Sequence, residues 1–143
     1  MNTRIILFWL SIALLAGCEQ KGSSSAPIAL PEAKVSQLEG TAGVSDGGRA
    51  FADIYNGTDW TIVDVDLSVT NIPTGESRRV RLTCYKEVEE PVPGRSITRT
   101  KKEATELLPF SSGSFEGSSG NFLDGLNKEQ KSYSIESARG YTK

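Results

Sequence analysis

The sequence predicts an all-β fold, a small antiparallel β-sandwich that follows an apolar N-terminal run and a polar tether. Residues 63–70 and 79–85 give the clearest signal, because apolar and polar side chains alternate in both with the period of a half-buried strand. Turn-forming residues recur about every 8 to 15 positions, as expected of a sandwich of short strands. Little of the chain has helical periodicity, so the prediction contains no major helix.

The chain begins with a short apolar run that ends at a cysteine. Arg4 precedes residues 5–15, which are almost entirely apolar, and Cys18 follows shortly after. Such a run is too short to cross a bilayer, so residues 1–17 are predicted to be a secretory signal peptide and not a membrane span.

The end of this run resembles the lipobox of bacterial lipoprotein precursors, with Leu15, Ala16 and Gly17 directly before Cys18. The resemblance implies cleavage between Gly17 and Cys18, diacylglyceryl transfer to the Cys18 sulfur and acylation of the new amino terminus. Several acyl chains hold a protein stably on a membrane. The alternative is an ordinary cleavable signal with a chance cysteine.

The residue after the cysteine bears on which membrane is used. In Gram-negative lipoproteins an aspartate at this position marks retention at the inner membrane, and this chain has Glu19. The resemblance therefore implies the outer membrane, on its periplasmic face, with the inner membrane as the alternative.

Residues 18–48 are predicted to form a flexible tether. Ser, Ala, Pro, Gly and charged residues dominate this stretch, and neither a strand period nor a helix period is sustained. A flexible coil of that length would span about 30 Å. Within it, residues 31–40 leave a helical turn or an extra strand open.

The predicted domain, residues 49–143, begins with a strand at residues 50–55. This strand runs into Asn56 and Gly57, a pair typical of tight hairpin turns. We therefore expect a hairpin between this strand and the one at residues 63–70.

In the second strand, the apolar residues move from even to odd positions between Ile62 and Val63. This change predicts a bulge there. Beyond the bulge, Leu67 is expected at the centre of the core.

Residues 63–70 and 79–85 are predicted to form an antiparallel pair. Pairing Val65 with Leu82 brings apolar residues together and places Asp66 opposite Arg81 on the solvated face. Cys84 falls on the apolar phase, where a small buried thiol is expected.

The rest of the chain gives weaker signals. Residues 95–106 are ambiguous between a short helix and an edge strand, and residues 109–120 are loop or strand with much glycine. Residues 132–138 are predicted to be the closing strand, carrying Tyr133 and Ile135.

Residues 48–60, with the strand at 63–70, resemble the opening of FxLYD-type immunoglobulin-like domains of bacterial envelope proteins, although the FxLYD signature itself is absent. The resemblance implies an immunoglobulin-like sandwich and a binding or scaffolding role.

Composition excludes several classes of function. The net charge is −2, with 16 basic and 18 acidic residues, which argues against a nucleic-acid partner. The chain contains no histidine, so the commonest general base and the commonest metal ligand are missing. Besides Cys18 it has only Cys84, and an internal disulfide of the mature domain is excluded.

Catalytic, metal-binding and cofactor-binding residues are not predicted. Asp64 and Asp66 share a strand face about 6.6 Å apart, near the spacing of inverting glycosidases, but a solvated face beside arginines does not raise the pKa of a carboxyl group. Gly113, Gly117 and Gly120 lack the context of a phosphate loop.

These observations lead to one expected role and one alternative. We expect an outer-membrane-anchored, non-enzymatic interaction or scaffolding module that acts on an envelope protein, with free strand edges as docking sites. The alternative is a lipoprotein inhibitor or immunity protein that blocks a periplasmic hydrolase by inserting a loop at residues 110–122.

Overall fold

The computed structural model describes residues 26–142, which form an open, sandwich-like all-β fold. The strands pair antiparallel throughout this range. In chain order the elements are β1 (Ile28–Ala29), α1 (Glu32–Val35), β2 (Leu38–Val44), β3 (Arg49–Asn56), β4 (Thr61–Asn71), β5 (Glu76–Pro91), β6 (Thr98–Ala104), β7 (Ser112–Ser118), two 3-10 turns (Gly120–Leu123 and Lys128–Gln130) and β8 (Lys131–Tyr141).

One continuous sheet folds over into two layers. Its strand order is β1-β8-β4-β5-β7-β3-β2, and β6 pairs with the second half of β5. The 16 residues of β5 connect the layers, because residues 76–83 pair with β4 while residues 83–91 pair with β7 and β6. The predicted all-β sandwich class is confirmed, whereas its immunoglobulin-like subtype stays a prediction.

The predicted register of the central strand pair is confirmed. Val65 pairs with Leu82, and Asp66 pairs with Arg81. Leu67 is completely buried, as expected for the centre of the core. The core between the layers contains apolar side chains from most strands, including Ala50, Ala52 and Ile54 of β3, Val65, Leu67 and Val69 of β4, Val80, Leu82 and Cys84 of β5, and Phe115 of β7.

The predicted bulge in β4 is also confirmed. Ile62 pairs with Gly140 and Asp64 with Arg139, so Val63 is an extra residue in β4. Ile62 and Val65 are therefore both fully buried, although they are three positions apart.

The predicted hairpin at Asn56 and Gly57 is wrong. β3 pairs with β2 and β7, and β4 pairs with β5 and β8, so residues 57–60 cross from one layer to the other. Gly57 does not have a positive φ. Glycine fits here because a Cβ atom would lie 2.7 Å from the carbonyl oxygen of Gln37.

The buried amide of Asn56 organises this crossover. Its Oδ1 accepts hydrogen bonds from the backbone N–H (3.1 Å) and Oγ1 (2.7 Å) of Thr58. Its Nδ2 donates to the carbonyl oxygens of Trp60 (2.7 Å) and Leu108 (3.0 Å). A dipeptide that is typical of hairpins is thus used as a polar clamp between two loops.

The prediction that residues 18–48 are all tether is wrong for residues 28–44. This stretch forms β1, α1 and β2, and the alternatives left open at residues 31–40 are both realised. Leu30 and Leu38 are buried in the core. Isolated apolar residues between polar ones gave no sustained period, which is why the sequence concealed these short elements.

The later segments settle two further expectations. Residues 98–104 are an edge strand, β6, and not a helix. Residues 112–118 form β7, and Phe115 is fully buried, so residues 110–122 are not an inserting loop as the inhibitor alternative expected. β8 contains the predicted closing strand at residues 132–138.

Residues 1–25, with the predicted signal peptide, Gly17 and Cys18, lie outside the described part of the chain. In the part that is described, no helix is long and apolar enough to span a membrane.

Candidate functional site

A groove lies between the two strand edges at the side of the sandwich opposite β5. β2 pairs only with β3, and within residues 26–142 no strand pairs with its other edge. β8 pairs with β4 along one edge, while on its other edge β1 reaches only Arg139 and Gly140. A hydrogen bond from the Leu30 N–H to the Ala138 carbonyl extends that contact by one residue. The outer edge of residues 131–137 is therefore unpaired in the described structure.

This β2–β8 groove has a volume of about 680 Å³. Buried core residues form its floor, Ala52, Ile54 and Leu67. Half-buried apolar side chains line its sides, Val35 from α1, Ala42 from β2, and Tyr133 and Ile135 from β8. A cavity of this size and lining is suited to apolar side chains of a ligand.

Small residues in β2 leave the groove unfilled. The middle of this strand has the sequence Gly-Thr-Ala-Gly at residues 40–43, where Gly40 pairs with Ile54 and Ala42 with Ala52. Only glycine fits at position 40, because a Cβ atom there would lie 2.1 Å from the carbonyl oxygen of Asp53. Ile54 consequently has no large side chain above it on β2.

The two ends of the groove carry opposite charges. α1 closes one end and contributes Glu32, and the turn before β8 contributes Lys128 at the other end. Glu136 also lines the groove, but its carboxylate accepts a 2.7 Å hydrogen bond from Arg79 Nε, and the arginine compensates its charge. The groove therefore has an apolar floor, with Thr41 and Ser134 among its polar lining residues and a charged side chain at each end.

Asp64 and Asp66, the carboxylate pair weighed from the sequence, are not on a solvated face. Both are only 5% exposed, because β5 and β8 flank β4 and lay arginines over it. Arg139 binds Asp64 through two hydrogen bonds of 2.8 and 2.5 Å, and Arg81 binds Asp66 through two of 2.9 and 3.2 Å. The expectation of a wet face at these positions is wrong, although the expected pairing of Asp66 with Arg81 is confirmed.

The hydrogen bonds from Arg81 lower the pKa of the Asp66 carboxyl group, while burial opposes this effect and a hydrogen bond from Ser137 adds to it. A general acid needs the reverse, a carboxyl group whose pKa is raised. These ion pairs give the two carboxylates a structural role in joining β4 to its neighbours.

Cys84 is buried as predicted. Burial raises the pKa of its thiol to about 11. At neutral pH the thiol is therefore protonated and packs as a small apolar side chain.

A second, smaller concavity of about 290 Å³ lies on the outer face of β3 and β7, beside Phe51 and Tyr85. Its charged groups already have polar partners. Glu116 contacts Arg49 and Lys102, and Asp53 accepts a hydrogen bond of 2.6 Å from Ser114 Oγ. This concavity offers less unpaired polar chemistry than the β2–β8 groove.

Across the described residues, no group of three or more acidic, cysteine or histidine side chains is placed to hold a metal ion. The chain matches no protein-family model, no curated protein and no solved structure.

The sequence indicated free strand edges in general but not this groove. Its two signals are the run of small residues in β2 and the alternation of Tyr133 and Ile135 with polar neighbours in β8. Neither shows that the two edges face each other, because that depends on how the sheet folds over.

Proposed function

We propose that the chain is a lipid-anchored, non-enzymatic interaction module that binds an extended segment of an envelope protein in the β2–β8 groove. The observation that carries this proposal is the unpaired edge of β8 at residues 131–137 beside an apolar cavity open to solvent. An unpaired edge supplies backbone donors and acceptors for an added strand, and pockets for alternate side chains supply specificity.

The bound segment continues the line that β1 begins. β1 pairs with β8 over two residues, and then the chain turns away at Pro31 into α1. A strand added to residues 131–137 would lie beside β8 where β1 leaves it, with every second side chain directed to the groove floor.

Charge at the groove ends indicates the composition of the bound segment. A strand antiparallel to β8 would have its N-terminal end near Glu32 and its C-terminal end near Lys128. The complementary ligand is a segment with apolar residues at alternate positions, a basic residue on its N-terminal side and an acidic residue on its C-terminal side.

The anchor in this proposal is Cys18, and the proposed location is the periplasmic face of the outer membrane. Its support is the lipobox resemblance of residues 15–18 and the glutamate that follows. Labelling of cells with a radioactive fatty acid tests it. We expect label on the native chain and none on Cys18→Ala, and equal detergent-phase partitioning of the two would contradict the anchor.

Photo-crosslinking from inside the groove tests the docking site. A benzophenone amino acid is placed at Ile135, and a control is placed at Thr83, which is exposed on the outer face of β5. We expect adducts only from position 135, and mass spectrometry of the adduct should map to a segment with alternating apolar residues.

A synthetic peptide of the mapped segment then tests the mode of binding. It should slow amide hydrogen exchange at residues 131–137, because an added strand takes up their free N–H groups. Ala42→Asp, which places a charge against the groove floor, should abolish binding, and Thr83→Asp should not. Unchanged exchange in β8, or equal binding by both variants, would refute the groove as the site.

A further inference from the structure

Three large apolar side chains are exposed at the end of the sandwich where the described chain begins. Ile28 is 60% exposed, Leu108 is 51% exposed and Phe110 is 64% exposed. Singly, such residues are common on protein surfaces, but a group of them at one end indicates a contact surface. We call these three residues the apolar pole.

Strand pairing places the members of the apolar pole at the same end. Ile28 pairs with Gly140, Gly140 pairs with Ile62, and Ile62 forms a bridge with Leu107, the neighbour of Leu108. Neighbouring strands lie about 4.8 Å apart, so these three pairings place the backbone of Ile28 about 14 Å from that of Leu107. Ile28 and the loop that carries Leu108 and Phe110 therefore lie at the same end of the domain.

The loop of the apolar pole is held in place and does not collapse onto the domain. The Leu108 carbonyl accepts hydrogen bonds from Asn56 Nδ2 (3.0 Å) and from Ser111 Oγ (2.7 Å). Phe110 is the only described residue other than glycine with a positive φ, at 52°. This conformation costs energy for a bulky residue and is found at sites where the surroundings enforce it. Here the enforced conformation leaves the Phe110 ring in solvent.

The distance along the chain to Cys18 decides which end of the domain faces an anchoring membrane. The sheet begins at Ile28, which is ten positions after Cys18, whereas the sequence had predicted a tether as far as residue 48. Ten residues reach at most about 35 Å. The 11 residues of β4 run about 36 Å from the apolar pole to the opposite end. The opposite end would reach the membrane only if the linking segment ran back along the whole domain at full extension.

Two ion pairs lie near the apolar pole. The Asp59 carboxylate is 2.7 Å from Lys34 Nζ, and Arg139 is bound to Asp64. Both charges of each pair are thus compensated within the protein, which reduces the cost of bringing this end to a headgroup region.

We propose that the apolar pole rests on the phospholipid surface to which Cys18 is anchored, with Leu108 and Phe110 inserted at the headgroup level. This inference depends on the anchor in the proposed function and not on the groove. It fixes the orientation of the domain, because the apolar pole faces the lipid and the end with the β4–β5 turn points away from the membrane.

Depth-dependent fluorescence quenching tests this orientation. The lipidated protein is reconstituted in vesicles of phosphatidylethanolamine and phosphatidylglycerol that contain a spin-labelled lipid. A bimane fluorophore is attached to Leu108→Cys, and a control fluorophore is attached to Ile72→Cys. The two positions are matched in exposure, at 51% and 52%, but lie at opposite ends of the domain. Cys84 stays unlabelled because it is buried.

We expect several-fold stronger quenching at position 108 than at position 72, and Phe110→Asp should weaken the quenching at position 108 without changing that at position 72. A lipidated protein with equal quenching at both positions would overturn this inference and leave the anchor standing. A Cys18 without lipid, shown by mass spectrometry of the same sample, would overturn the anchor and this inference together.

Discussion

Asp66 and Arg81 are direct partners across β4 and β5, and two hydrogen bonds of 2.9 and 3.2 Å join the carboxylate to the guanidinium group. The carboxylate is buried, with 7% of its side chain exposed, while the arginine remains half exposed. Arg81 thus covers the aspartate and reaches solvent with the rest of its side chain, an arrangement that needs the planar, bidentate guanidinium group.

Asp66→Ala is expected to destabilise the domain by about 1.5 to 3 kcal/mol, the usual range for hydrogen bonds to charged groups. A solvated aspartate would cost at most about 1 kcal/mol. Urea denaturation of the unlipidated chain measures the difference. Glu76→Ala is the control, because its ion pair with Arg78 is exposed on both sides. Equal losses for the two variants would contradict the burial of Asp66.

Acid is expected to weaken the fold partly through Asp66. Its hydrogen bonds with Arg81 lower its pKa in the folded state relative to the unfolded chain, where the pKa of an aspartate is about 3.9. The stabilisation is therefore fully present above that unfolded value and is lost as the pH falls through the folded pKa. In Asp66→Asn, the urea midpoint should fall less steeply as the pH is lowered. A pH dependence identical to that of the native chain would contradict this assignment.

Leu67→Ala is expected to cost about 2 to 5 kcal/mol, since its side chain is fully buried between the layers and also forms part of the groove floor. The neighbouring Asp66→Ala should cost less when both are measured by urea denaturation. A larger loss for Asp66→Ala would mean that the ion pairs, and not apolar packing, dominate the stability of β4.

The sequence predicted those parts of the fold that depend on local alternation. The register of β4 with β5 and the bulge at Val63 followed from the parity of the apolar residues alone. The burial of Asp64 and Asp66 did not follow, because it requires arginines from two strands, one of them distant along the chain. An alternating pattern identifies the polar face of a strand, but it does not show whether side chains of neighbouring strands cover that face.

The sequence predicted less of the candidate site than of the fold. The β2–β8 groove is formed by β2, which lies within the predicted tether, and by β8 at the far end of the chain. Their approach depends on the passage of β5 between the layers, a long-range feature with no local signature. The apolar pole likewise depends on residues from β1 and from the loop before β7.

Cys84 is expected to be unreactive in the native domain. With a pKa of about 11, only about one thiol in a thousand is ionised at pH 8, and burial further blocks access. In the unlipidated Cys18→Ala chain, a thiol reagent such as Ellman's reagent should modify Cys84 only after denaturant is added. Rapid modification of the native chain would show that β5 opens locally at this position.

Asn56→Ala is expected to destabilise the domain by at least about 2 kcal/mol, because it removes the side-chain partner of the Trp60 carbonyl and of the Thr58 backbone N–H, and one of the two hydrogen bonds to the Leu108 carbonyl. Asn71→Ala is the matched control, since that amide accepts only a 3.3 Å hydrogen bond from the exposed N–H of Thr74. Its loss should stay below about 1 kcal/mol. Urea denaturation compares the two, and hydrogen exchange of residues 105–111 shows whether the loop with Phe110 loosens only in Asn56→Ala. Equal stability of both variants would mean that Asn56 is a turn residue, as its sequence first suggested, and not the clamp between the layers.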